Sequence, residues 1–316
     1  MNYNGNISKI KQNMKNNNLP NLNESVLDAL NFFIKNKPTK LDPKKFAFPL
    51  IVGSGNAYNT GRVIFNSQPA IITNESGFLE ILKGCRPLIK NKSIKEALII
   101  SASGEKDSIW EIKAAKRAGL KTTILTCSPM SKGAKLADQV LVYEKLPEPY
   151  TYNVSTYLGM ILGASGEKAQ TIKNFLCHLK FPKKFKDYSA YFFILPDEFG
   201  SIAPMLEIKR NELFGPHLSL RASSYGEARH GKFVNIWDKE LVISLGKNKY
   251  FGAEHSRWEI KLPPKAGNGL VLSLTNYIIG MIQQSKPPYF KKNIAKYCQD
   301  VAASYGQKKP FSIIVK

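Results

Sequence analysis

The chain has 316 residues, with 46 Lys or Arg against 24 Asp or Glu, for a formal net charge of +22. That length allows two domains, or two lobes sharing an interface, each large enough to fold without a disulfide or metal staple. The four cysteines, Cys85, Cys127, Cys177 and Cys298, form no C-x-x-C pair, which argues against zinc, iron–sulfur and secreted disulfide patterns and fits a reducing, cytoplasmic setting.

The positive charge raises the question of a polyanionic partner. The lysines are spread along the whole chain and accompanied by many asparagines, and no DNA- or RNA-binding motif is present. Nucleic acid is therefore not the expected partner, since diffuse charge gives only weak, salt-sensitive binding. The opening "MNYNGNISKIKQNMKNNN" has no apolar h-region, and no later run is long enough to cross a bilayer, so no membrane partner is expected either.

In chain order, residues 1 to about 20 carry too little apolar content to pack and are expected to form a mobile arm. "NLNESVLDALNFFIKNK" places Val26, Leu27, Leu30 and Phe33 at helical spacing after an Asn/Ser start, which predicts an amphipathic helix. "PTKLDPKK" is a linker. Short apolar strands follow, "FPLIVGSG", "PAIIT", "EALIISAS", "KTTILTC" and "QVLVYE", with helices between them. Such alternation predicts a parallel, doubly wound α/β sheet. After the basic connection "LKFPKKFKDYS" the alternation repeats more tightly in "AYFFILPD", "HLSLRAS", "ELVISLG" and "RWEIKLP", and two helices close the chain. The expected organisation is an arm and helix over residues 1–45, a first lobe over 46–183 and a trimmed second lobe over 184–316.

Two strand ends carry candidate ligand-binding chemistry. In "VGSGNA", Gly53, Ser54 and Gly55 would let backbone approach a ligand closely. The turn is not a dinucleotide fingerprint, because Tyr58 occupies the place of its third glycine. In "ISASGEKDS", Ser101, Ser103 and Gly104 close a strand just before a helix, with Lys106 behind them. Hydroxyls, free N–H groups and a helix N-terminus suit a phosphate, although the same serines could equally cap the turn.

Together with "ADQVLVYE", these loops resemble the sugar isomerase (SIS) domain, whose phosphosugar loop reads S-x-S-G-x-T; Lys106 stands at the place of the threonine. The resemblance covers most of residues 46–165. "IKRNELFG" with "SSYGEARHGKFVNI" is similar to the isomerase part of glucosamine-6-phosphate synthases. That implies Glu212 as the proton-moving carboxylate, with Glu207 as a rival, and His230 as the group that assists ring opening. "KKNIAKYCQD" resembles the N-L-A-K segment of that family, which implies Lys296 near the sugar carbonyl. The family's helix after the fifth strand borders the phosphosugar, which implies a contact from Thr151 in "LPEPYTYNVSTY". On spacing alone, Glu212 could instead be a helical partner of Lys209.

The resemblance implies a two-lobed, flavodoxin-like phosphosugar isomerase that converts aldose and ketose through an enediol or enediolamine. It uses no cofactor or metal, and it is a homodimer in which the histidine can serve the partner chain. The 45 residues ahead of the first strand are too few for a glutaminase domain. A noncatalytic phosphosugar-binding protein and an amino-sugar phosphate deglycase or deaminase are the alternatives.

Overall fold

The computed structural model describes residues 19–316. The expected arm lies outside the described residues except for its last positions. Leu19 is buried, and its carbonyl accepts from Lys291 Nζ at 3.0 Å, while the Pro20 carbonyl accepts from the Tyr152 hydroxyl at 2.8 Å. Those two residues are packed. They lead into α1 (Leu22–Lys35), whose apolar stripe of Leu22, Val26, Ala29, Leu30 and Phe33 is buried.

The first lobe runs β1 (Leu50–Gly53), α2 (Asn56–Ile64), β2 (Ile71–Asn74), α3 (Phe78–Gly84), α4 (Arg86–Lys90), β3 (Glu96–Ile100), α5 (Asp107–Arg117), β4 (Lys121–Thr126), α6 (Lys132–Leu136) and β5 (Gln139–Val142). Its five strands lie in the order β2-β1-β3-β4-β5, and every pair is parallel, with Leu50 opposite both Ile71 and Ala97. All of β1 and nearly all of β3 are buried because helices cover both faces of the sheet. The five strand runs read from the sequence are these five strands.

A short segment, β6 (Glu148–Pro149), leads to α7 (Val154–Ser165) and α8 (Ala169–Cys177). The second lobe follows with β7 (Ala190–Leu195), α9 (Ala203–Leu213), β8 (Ser219–Ser224), α10 (Tyr225–His230), β9 (Glu240–Ser244) and β10 (Arg257–Glu259). These four strands form a parallel sheet in the order β10-β9-β7-β8. The short β9-to-β10 crossover has no α-helix, only a 3-10 turn at Glu254–Ser256. The Arg257 side chain holds that loop by donating to the carbonyls of Phe251 and Gly252 at 2.7–3.0 Å.

The chain closes with α11 (Asn268–Ser285), α12 (Tyr289–Ser304) and β11 (Ile314–Val315). The last strand returns to the first lobe and pairs antiparallel with β6, Ile314 opposite Pro149. Helix α11 crosses α1 so closely that a side chain at Gly280 would run into the Asn23 backbone. Through these helices one apolar cluster joins Leu30 of α1, Ile161 of α7, Phe193 of β7 and Leu274 of α11. The lobes have separate sheets and a shared core. Among the described residues, no helix is long and apolar enough to cross a membrane.

Candidate functional site

Glu212 lies on the last turn of α9 with its side chain only 17% exposed, and its Oε2 accepts from Lys209 Nζ at 2.5 Å. One helical turn separates the two residues, so the pair is the i, i+3 contact that the sequence allows. It is not a solvated pair, because Lys209 is buried. The Lys209 ammonium also donates to the Thr151 carbonyl, which ties α9 to the loop between β6 and α7. Burial raises the Glu212 carboxyl from its ordinary value, and the charge and hydrogen bond of Lys209 oppose that rise.

Three phenols share this electrostatic environment. Burial first and the Glu212 charge second hold the hydroxyls of Tyr157 and Tyr297 above the usual tyrosine range. Tyr150 is pushed up to about 12 by burial, with Tyr305, Cys298 and Glu212 adding to the effect. All three remain neutral hydrogen-bonding groups near neutral pH.

The surrounding loop is held in a costly backbone. Thr151 has φ +74° and Asn153 has φ +48°, and for a β-branched residue such as threonine the left-handed region is unfavourable. The Glu148 carboxylate fixes the start of α7 by accepting the Ser155 N–H at 2.6 Å, and the Ser155 hydroxyl accepts the Leu146 N–H at 2.9 Å. The Thr151 hydroxyl is buried and has no partner among the described residues.

Helix α9, which carries Glu212, packs against α2, the helix that follows the first glycine turn. Gly53 ends β1, Ser54 is half-buried, and the exposed Gly55 caps α2 with φ +54°. A Cβ at Gly53 would lie 2.9 Å from backbone atoms of Ala57 and Tyr58, so only glycine allows the helix to begin so close to the strand.

After β3 the loop stabilises itself. The Ser101 hydroxyl accepts the Gly104 N–H at 3.2 Å, and the Ser103 hydroxyl accepts the Glu105 N–H at 3.3 Å. Gly104, at φ +62°, packs against Ser131 and accepts the Gly133 N–H at 2.8 Å through its carbonyl. An anion here must therefore take the Gly104 and Glu105 donors from the serine oxygens, while the hydroxyl protons of Ser101 and Ser103 are free to turn toward it.

Lys106 is exposed, and its side chain rests against aromatic rings from the end of the chain. Its ammonium lies 4.3 Å and 4.6 Å from the ring centroids of Tyr305 and Phe311, in the segment beyond α12. Phe311 in turn stacks on Tyr150 at 5.2 Å, and Tyr150 is 6.3 Å from Tyr297. Aromatic rings thus link the loop after β3 to the surroundings of Glu212.

The remaining candidates lie elsewhere. His230 ends α10 and is exposed. Lys296 is exposed on α12, where it pairs with Asp300 at 2.5 Å, and the neighbouring Tyr297 is the residue that senses the Glu212 charge. Glu207 accepts the Ala222 N–H at 2.9 Å and faces Arg210, so it braces α9 against β8. Sequence reasoning missed Tyr150, Tyr157 and Tyr297 as neighbours of the carboxylate; the helical phase around Lys296 was the available signal for Tyr297.

The matching strand end of the second lobe is closed. Asp197 Oδ1 accepts the Gly226 N–H at 2.6 Å at the start of α10, and Ser224 and Glu227 form a capping box there. A carboxylate of the chain itself occupies the position an anion would take.

No family model matches the sequence, and no curated protein matches it. Solved structures do match. Glucosamine-6-phosphate deaminase from Thermotoga maritima superposes with a TM-score of 0.57 at 16% identity, covering 91% of this chain and 96% of that one. The C-terminal domain of glucosamine-fructose-6-phosphate aminotransferase from Francisella tularensis gives 0.57 at 14% identity, with 84% and 93% covered. Tagatose-6-phosphate ketose/aldose isomerase from Escherichia coli gives 0.50 at 12% identity, with 89% and 91% covered. At these identities the likeness is one of fold.

Proposed function

We propose that this chain, which has the two-lobed sugar isomerase (SIS) fold, binds a hexose or amino-hexose 6-phosphate and interconverts its aldose and ketose forms. The observation that carries the reading is the buried Glu212–Lys209 pair, a carboxylate of raised pKa beside a single ammonium. Such a carboxylate can remove a proton from the carbon next to a carbonyl and return it to the neighbouring carbon. The Lys209 ammonium supplies positive charge for the oxygen that becomes negative in the enediolate.

Phosphate binding falls to Ser101, Ser103 and Gly104, with Gly53, Ser54 and Gly55 lining the approach. Binding energy from that remote group holds the reacting carbons against Glu212. His230 is exposed on its own chain, so in this reading it serves the site of a second copy in a homodimer. The likeness to solved phosphosugar enzymes supports the substrate class, and the left-handed Lys106, Thr151 and Asn153 support a functional loop cluster at this end of the first lobe.

A second reading draws on Lys296, which faces solvent against Asp300, and on the exposed His230. A chain that uses neither residue on its own carboxylate would bind a phosphosugar without turning it over. Incubation with hexose and amino-hexose 6-phosphates in D₂O, followed by NMR, separates the two readings. Deuterium appearing at C2 with wild type but not with Glu212→Gln, while both proteins show a ligand-induced thermal shift, supports the isomerase. Binding without exchange leaves the noncatalytic reading, release of ammonia identifies a deaminase, and no thermal shift with any phosphosugar overturns all three.

A further inference from the structure

Between the lobes, Asn56 at the start of α2, Asn153 and Tyr157 near the start of α7, Lys209 of α9 and Asn276 of α11 line a cavity. It leaves the centre of a water about 10 Å³ to occupy. Three of these groups have unmet hydrogen-bonding capacity. The carboxamide oxygens of Asn56 and Asn276 are buried and accept no hydrogen bond from any of the described residues, in residues 8% and 5% exposed. Lys209 has the opposite need. An ammonium has three donors; the Thr151 carbonyl and Glu212 Oε2 take two of them, and the residue is 4% exposed. Buried polar groups left this way are rare in folded proteins.

We propose that the cavity is a built site for one water, which accepts the third Lys209 N–H and donates its two protons to the Asn56 and Asn276 oxygens. The space is that of a single water, and three hydrogen bonds is the usual number for a buried one. A metal or ammonium ion would suit the two oxygens but would face the Lys209 charge, which disfavours it. Asn56 belongs to the helix that follows the first glycine turn, and Asn276 belongs to the helix that closes the second lobe. Through the water, both lobes orient Lys209 and, through Lys209, the Glu212 carboxylate. On the reading that Glu212 moves the proton, Asn56 and Asn276 are positioning residues. Among the described residues the groups that bear on Glu212 are Lys209, Tyr150, Tyr157 and Tyr297, so Lys209 is the one cation in that set, and loosening its hold lets the carboxyl pKa rise further.

A crystal structure of the full chain at a resolution that orders internal waters tests the site directly. The expected result is one peak within about 3 Å of Lys209 Nζ and both carboxamide oxygens; a dry cavity, or a peak touching only one of the three, overturns the proposal. Asn56→Leu and Asn276→Leu then test the role. Each is expected to move the acidic limb of the pH–turnover profile up by about one pH unit, the scale of one hydrogen bond to a charged group, with KM little changed. Asn276→Ser, which keeps an acceptor oxygen, is expected to restore most of the limb. A fall in turnover that is equal at every pH overturns the positioning role. If a leucine variant fails to fold, wild-type diffraction and the serine variant still decide. Absence of turnover in wild type would sink the role given to Glu212, whereas the diffraction result on the water would stand by itself.

Discussion

The Lys106 ammonium rests 4.6 Å from the Phe311 ring centroid, so a cation of the loop after β3 is held by the last aromatic residue before β11. Tyr305 lies 4.3 Å away from the same ammonium. Lys106→Thr removes both contacts, each worth about 0.5–1 kcal/mol at a partly exposed site. The expected outcome is faster hydrogen exchange over residues 305–315, with phosphosugar affinity changed less than by Ser103→Ala. Unchanged protection of that segment would show that β11 alone holds it.

Glu212→Gln is expected to lower turnover by about 10²–10⁴-fold, the contribution of one positioned general base, while leaving the ligand-induced thermal shift in place. Lys209→Met is the sterner test of the pair. It leaves a buried carboxylate without its cation and is expected to cost about 3 kcal/mol of stability. Chemical denaturation measures that loss, and a value within error of wild type would mean that the pair carries little weight.

Glu111 on α5 is 1% exposed, and its carboxyl is pushed up to about 8 by burial first, then by the charges of Asp107 and Glu75. With the folded value above the unfolded one, the contribution of this group to stability is full below the unfolded pKa and declines as pH rises through the folded value. Between about pH 5 and pH 8 wild type is expected to lose about 1 kcal/mol per pH unit from this group. Glu111→Gln, with no proton to lose, should flatten that slope in denaturant melts. Parallel slopes for the two proteins would contradict the assignment.

Glu167, between α7 and α8, accepts the N–H groups of Gly267, Gly269 and Leu270 at 2.6–3.0 Å and so caps α11 from the first-lobe side. Glu167→Ala exposes or strands those donors and is expected to cost about 1–2 kcal/mol. A thermal melt reads the loss, and Glu167→Gln, which keeps one acceptor, should lie between the two.

Both sheets were legible because their strands are short apolar runs such as "EALIISAS" and "AYFFILPD", and a strand buried on both faces has little other composition available to it. The Glu212–Lys209 contact was legible as an i, i+3 spacing on a helix. What spacing could not give was their burial, which depends on α7 and the Thr151 loop packing over α9. Lys296 shows a second limit. The motif names Lys296 from its place along the chain, but successive helical residues point about 100° apart, so the side chain whose electrostatics couple to Glu212 is the next one, Tyr297. Lys106 shows a third, because its partners, Tyr305 and Phe311, come from the far end of the chain, and no local pattern announces them. The crossover ahead of β10 looked barely long enough for a helix, and the chain makes it without one by using Arg257 as a brace.

The apolar cluster that runs from α1 through α7 and β7 to α11 has a mechanical consequence. The connection near residue 184 joins two sheets, but it is a link in the covalent sense and not a hinge, since bending there would have to open the interior itself. Calorimetry should accordingly record one transition for the whole chain, and a protein cut in that connection should stay in one piece for as long as its core does.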